Sequence, residues 1–269
     1  MNLKENLIFA MQKTMETPKP YGWFHILWII LTLGGIFFLY LKRKNHNEKQ
    51  LKTILSIYGI TAFILEALKQ ISWSMNYDTV SKIITWDYTW YSFPFQLCTT
   101  PIFVSIICIF LKNNKIRQSL LSYMAYITIL GSIATIIIPT SCFTSEIMIN
   151  IHTMWLHCGS LVVSVYLLIS KEVTINYQNL KRAIITFIIF VIIAQILNIG
   201  IYQSGILNEE SFNMFYISPY FISSLPVFDI IQKAVPYITF LIIYLLTISS
   251  GAYIIYGIAS LLKINKPRR

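Results

Sequence analysis

Apolar runs of membrane-spanning length alternate along the chain with short charged or aromatic connections. About 20 apolar residues suffice to cross a hydrocarbon core of ~30 Å. On that measure the pattern predicts spans at roughly 23–41, 53–72, 94–111, 119–138, 152–170, 182–203 and 236–262. Polar breaks separate them, among them KRKNHNEKQ at 42–50, KNNK at 112–115 and Lys181-Arg182. The expected fold is all-α: a polytopic membrane helix bundle of about seven transmembrane helices filling residues 23–262, with no internal repeat. Residues 1–22 are expected as an extracytoplasmic tail, loose or with an interfacial helix over 3–15, and residues 263–269 as a basic cytoplasmic tail. The stretch from Met1 to Tyr21 is mixed and polar, carries Pro18 and Pro20, and does not read as a cleavable signal.

Composition sharpens this picture. Of the 269 residues 56% are hydrophobic and 12% charged, with a mean hydropathy of +0.63. Soluble domains carry about 25% charged residues, so no separate soluble domain is expected. The net charge of +10 would suit a nucleic-acid binder, but the basic residues flank the apolar spans, and membrane topology accounts for them. Of the 21 Lys and Arg, 15 fall in 42–52, 112–117, 171–182 and 263–269, all on one side of a seven-span chain. That side is expected to be cytoplasmic, which puts the N-terminus outside, the C-terminus inside and the protein in the cell membrane. The outward segments 73–93 and 204–235 are rich in aromatic residues (WDYTWYSF, NMFYISPYF) and are expected to lie along the outer interface or fold over the bundle.

Ionisable and polar groups inside spans are costly and point to function by default. Glu66 and Lys69 sit three apart on the second span and are placed to pair. The third span opens Pro94-Phe95-Gln96-Leu97-Cys98-Thr99-Thr100-Pro101. Pro101 deprives the Leu97 carbonyl of its helical partner, which predicts a kinked polar end where Cys98 emerges. On the fifth span His157 shares a face with Ser160 and Ser164, whereas His152 lies nearer the interface and reads as solvated. The sixth span adds Gln195, Asn198 and Tyr202. Counted from the span ends, Cys98, His157, Glu66 and Asn198 fall in one layer roughly 7 Å below the outer surface, and they are expected to share a site. The four cysteines (98, 108, 142, 158) form no CxxC pair and no zinc-like spacing, and no ligand follows either histidine at i+4. Neither metal nor cofactor is expected. Whether Cys142 and Cys158 meet on the outer side stays open.

These residues also carry a likeness. The span start Pro94, Phe95, Leu97, Cys98, the outer-end His157 with Gly159 and Ser160, and the stretch from Asn213 to Pro219 resemble the YwaF-like bacterial integral membrane family, whose eukaryotic relative is transmembrane protein 164. The resemblance implies a seven-helix fold and, in the eukaryotic relative, acyl transfer between phospholipids, with the cysteine matching Cys98 as acyl acceptor. Many members carry His where this chain has Gln96. The function expected is a lipid acyltransferase or lipid hydrolase acting near the outer leaflet, with membrane phospholipids as partners and no nucleic acid. Cys98 and His157 are its expected catalytic pair, supported by Glu66, Lys69, Asn198, Gln96, His152 and Asn213. The alternative is a transporter or a non-catalytic membrane scaffold. A transporter generally needs a midplane site between repeats, whereas here the polar residues crowd one end.

Overall fold

The structure, a computed structural model, describes residues 6, 8, 10–78, 80–139 and 142–262. Six helices are long and apolar enough to cross a membrane. They are α1 (Trp23–Lys42) and α2 (Glu48–Ser74), then α4 (Lys115–Ile137), α5 (Ile147–Ile169), α6 (Tyr177–Gln203) and α8 (Tyr237–Leu261). Between α2 and α4 lies a shorter apolar helix, α3 (Thr100–Phe110), and before α8 a seven-residue helix, α7 (Phe228–Ala234). At 1.5 Å per residue, the 11 residues of α3 reach about 16 Å, roughly half the hydrocarbon thickness. The expected span at 94–111 therefore starts late. Residues 94–99 are turn, and Pro101 occupies the first helical turn of α3, where its missing N–H costs nothing. The kink foreseen inside this helix is a helix start instead.

The surface inverts that of a soluble protein. Leu33, Phe37, Ile192, Ile196, Leu246 and Ile254 are exposed, while Arg117, Glu66, His152, Asn198 and several serines are buried. A helix whose outer face is apolar and whose inner face carries the polar groups is solvated by lipid.

Two sets of contacts define the ends of the bundle. At the basic end, α2, α4 and α6 each begin with an asparagine whose side chain accepts a backbone N–H of the first turn: Asn47 from Gln50, Asn114 from Arg117, Asn176 from Asn179, at 2.8–2.9 Å. There the fully buried Arg117 grips both oxygens of Glu48, at 2.8 and 2.9 Å, and lies 4.0 Å from Glu172. Glu172 in turn meets His46 Nε2 at 3.0 Å, and His46 Nδ1 meets the Tyr166 hydroxyl at 2.7 Å. The starts of α2 and α4, the α1–α2 loop and the end of α5 are thus tied together.

At the opposite end α2 runs into a short hairpin, β1 (Met75–Tyr77) paired antiparallel with β2 (Ile84–Trp86). The chain then folds back so that Lys69 donates to the Ser92 carbonyl at 3.1 Å. Trp73 Nε1 donates to Glu146 at 3.2 Å, and Trp90 N donates to Glu210 at 2.7 Å. The N-terminal tail is pinned here too: Met15 N donates to Ser145 O (2.8 Å) and Ile147 N to Lys13 O (3.1 Å). The interfacial helix expected over 3–15 lies partly outside the described residues, as does the whole basic tail 263–269. The aromatic segments 73–93 and 204–235 fold over this end of the bundle, and Phe212, Met214, Phe215 and Ile217 of the second are fully buried.

Glu48→Gln should lower stability by about 1.5–3 kcal/mol, the range for a charge-assisted hydrogen bond at a buried partner. Lys52→Gln removes the largely exposed Lys52–Glu48 contact at 3.5 Å and should change stability by less than about 1 kcal/mol. Thermal unfolding in detergent compares the two, and equal losses would show that Arg117 does not depend on Glu48.

Candidate functional site

A cavity of about 210 Å³ opens at the site end. Cys98 and Leu97 enter it from the turn before α3, Thr128 and Ser132 from α4, His157 and Ser160 from α5, and Tyr216 from the segment after α6. Cys142 lines it as well.

Local winding explains how α4 and α5 present these groups. Each helix contains one π-helical turn, Met124–Thr128 in α4 and Trp155–Gly159 in α5. Such turns are rare and concentrate at functional sites. Thr128 closes the first, and His157 lies in the second. Thr128 donates its hydroxyl proton to the Met124 carbonyl at 2.9 Å and stands 3.3 Å from the Ser160 hydroxyl and 3.2 Å from that of Ser164.

The turn carrying Cys98 is built from side chains. Thr99 Oγ1 accepts from Gln96 N at 2.8 Å, and Thr100 Oγ1 donates to the Leu97 carbonyl at 2.8 Å. That carbonyl precedes the helix start and has no partner within α3. With its proton committed, Thr100 accepts from the Tyr123 hydroxyl at 2.7 Å.

Three amides hold the segment that carries Tyr216. Gln96 donates to Asn213 O (3.0 Å) and accepts from Phe215 N (2.8 Å). Asn198 donates to Met214 O (3.0 Å) and accepts from Met214 N (2.7 Å). Asn213 accepts from Ser218 N at 2.7 Å. Between these anchors Phe215 and Tyr216 take left-handed backbone angles, φ 57° and 59°, which a non-glycine residue adopts only when its surroundings dictate it. Tyr216 thereby reaches the cavity. Burial holds its phenol above the ordinary range, so it stays an O–H donor.

Glu66, Lys69 and His152 form a separate buried cluster. Glu66 Oε1 receives Lys69 Nζ at 2.7 Å and Gln70 Nε2 at 2.8 Å, and its Oε2 meets His152 Nε2 at 2.7 Å. A carboxylate only accepts, so His152 carries its proton on Nε2. Its Nδ1 is buried with no hydrogen-bond partner among the described residues.

The sequence expectations sort accordingly. Cys98 and His157 do line one cavity, and Glu66 and Lys69 do pair. Glu66 and Asn198 are not among the residues lining that cavity; the first fixes segment 88–92 through Lys69 and Gln70, the second fixes Met214. His152 is not solvated: it is buried, with its Nε2 on Glu66 of the neighbouring α2. Cys142 and Cys158 are not joined in a disulfide, and Cys158 packs beside Phe24 and Met154. Tyr216 and Thr128 had no signal of their own in the sequence. Among the described residues no three His, Cys, Asp or Glu side chains gather as metal ligands.

Apolar spans around a buried polar interior define a multi-pass integral membrane protein. Residues 20–256 match the TMEM164 family, and the chain belongs to that family. No curated protein sequence and no solved structure matches it.

Glu66→Gln should destabilise the protein by about 3–5 kcal/mol, since it leaves the buried Lys69 ammonium without its counter-charge. Adding Lys69→Met should recover part of that loss. Melting temperatures of the single and double variants decide the matter, and a double variant less stable than Glu66→Gln would show that the two charges are not coupled.

Proposed function

We propose that the protein is a membrane acyltransferase that moves a fatty acyl group between phospholipids, with Cys98 as acyl carrier and His157 as its base. The observation that carries this reading is that the Cys98 turn and the His157 π-turn line the same small cavity, in a chain of the TMEM164 family. The resemblance to transmembrane protein 164, with acyl transfer implied for the eukaryotic relative, supports it independently.

A free thiol of pKa about 8.5 is only a few per cent thiolate at neutral pH, so it needs a base. His157 takes the Cys98 proton, and the sulfur attacks the ester carbonyl. The tetrahedral oxyanion collects hydrogen bonds from hydroxyls that line the cavity, of which Tyr216 is the candidate donor held most firmly. The carbon–oxygen bond of the donor then breaks. His157 returns its proton to the departing lysophospholipid hydroxyl and leaves a Cys98 thioester. A second lysophospholipid hydroxyl, deprotonated by His157, attacks the thioester; the carbon–sulfur bond breaks, and the Cys98 thiolate takes the proton back from His157.

The orientation belongs to the same proposal: seven crossings of the cell membrane, N-terminus outside, cavity toward the outer leaflet. The 15 Lys and Arg of the basic side support it, as does the alternation of the long helices between the two tied ends, with α3 as the short crossing. A reporter fused after Arg269 should work only as a cytoplasmic one; extracellular activity there would overturn the orientation.

Intact mass after incubation with a phospholipid donor should reveal a hydroxylamine-sensitive thioester on the wild-type chain and none on Cys98→Ser. His157→Ala should lower transfer by about 10²–10⁴-fold, and the double variant should lose little more, since groups acting as one unit are not additive. Full transfer by purified Cys98→Ala would exclude the covalent route.

A further inference from the structure

The α1–α5 seam on the far face of α5 carries two features that the Cys98 cavity does not use. The first is an apolar groove of about 370 Å³, lined along α1 from Trp28 to Leu39, on α5 by Trp155, Cys158 and Val162, and floored by Ile54 and Tyr58 of α2. Gly35 sets its closest approach: a Cβ there would meet Val162 Cγ2 at 3.2 Å. The Tyr58 ring occupies the space beside Gly159, where a Cβ would fall 2.8 Å from it, and so separates the groove from the cavity. The outer lip, Leu31 and Ile57, is exposed on helices of membrane-spanning length, so the medium facing it is lipid hydrocarbon.

The second feature continues the seam toward the basic end. One helical turn beyond Leu39, about 6 Å along the axis, a pocket of about 360 Å³ is lined by Arg43, Lys44, Ile169, Ser170 and Lys171. Three cations and a hydroxyl meet there with no carboxylate among the described residues of the lining, and Arg43 also donates to the Tyr40 carbonyl. The nearest acid in sequence, Glu172, is turned to His46 and Arg117.

An elongated apolar slot ending in a cationic pocket at the membrane boundary matches one class of molecule. We propose that the α1–α5 seam binds an anionic phospholipid of the leaflet at the basic end, one acyl chain in the groove and the phosphate held by Arg43, Lys44 and Lys171. Juxtamembrane cations attract anionic lipid through the surface field; the groove adds a fixed place for the chain. This site is independent of the acyl transfer proposed above, requires neither Cys98 nor His157, and stands or falls separately.

Native mass spectrometry of the full chain in detergent can count bound phosphatidylglycerol against phosphatidylcholine, with inorganic phosphate as competitor. The wild type should prefer phosphatidylglycerol by about ten- to a hundredfold, and phosphate should not displace it. Arg43→Gln with Lys44→Gln and Lys171→Gln should erase the preference. Lys49→Gln with Lys112→Gln and Lys115→Gln removes the same charge from the same end outside the pocket and should keep it. Leu31→Trp, which fills the groove from its exposed lip, should weaken both lipids alike. If the triple pocket variant does not stay monodisperse, Lys44→Gln alone, at an exposed position, should lose part of the preference. Equal binding of the two lipids, equal loss in the control variant, or displacement by phosphate would overturn the proposal.

Discussion

Hydrocarbon offers a backbone no hydrogen bonds, so any stretch that leaves the helix inside or beside a membrane needs partners from its own protein. The ends of this bundle are organised around that requirement. Leu97 lies before the start of α3, outside the helix's own hydrogen bonds, and the Thr100 hydroxyl takes its carbonyl. Between α6 and α7 the chain forms no α-helix, and the amides of Gln96, Asn198 and Asn213 take up N–H and C=O groups of its 213–218 stretch. A carboxamide carries the same donor and acceptor as a peptide group, which is why Asn and Gln do this work and aliphatic residues cannot. The cavity exists because these substitutions let two irregular segments, one bearing Cys98 and one bearing Tyr216, meet in a region where regular helices would have closed the space.

Buried charge follows the same rule with larger stakes. An isolated ion in this interior costs several kcal/mol, so each one is embedded in a set of partners. Glu66 has three, Lys69, Gln70 and His152, and two members of that set, Lys69 and Gln70, also hold the Ser92 carbonyl. The pair therefore does more than neutralise itself: through Lys69 and Gln70 it fastens the returning chain at Ser92 to α2. Arg117 plays the corresponding part at the basic end, where Glu48 and Glu172 bring three connections together. Each tied end fixes where the helices begin, and so which residues of α4 and α5 face one another across the cavity.

How much of this the sequence discloses depends on the range of the interaction. Spans show themselves through apolar runs, because burial in lipid acts residue by residue. The Glu66–Lys69 pair shows itself because i, i+3 spacing on a helix is local. His157 with Ser160 is legible for the same reason. What escapes is set by contacts over long separations: Gln96 meets Asn213 at a separation of 117 residues, and His152 meets Glu66 at 86. Reading His152 as solvated followed from its place near a span end, and nothing local announces that Glu66 of another helix meets it. The late start of α3 was half visible. Pro101 marked the disturbance, but whether it kinks a helix or begins one depends on Thr99 and Thr100 closing the turn, which only the fold decides. The π-turns left no composition signature at all.

The shortness of α3 links these points to chemistry. A helix of about 16 Å occupies half the membrane's depth, and the other half of its column must be filled by something. Here it is filled by the 94–99 turn and by the Gln96-anchored segment through Tyr216, both rich in groups that donate and accept hydrogen bonds. A full-length helix would place apolar side chains at that depth and leave no room for a polar substrate group. Cutting the helix short exchanges part of an inert wall for a pocket in which a thiol, an imidazole and several hydroxyls face one small volume while the surrounding helices remain soluble in lipid. The same shortening explains why Cys98 lies on a turn and not on a helix: a turn held by Thr99 and Thr100 presents its side chain to the cavity from the end of α3.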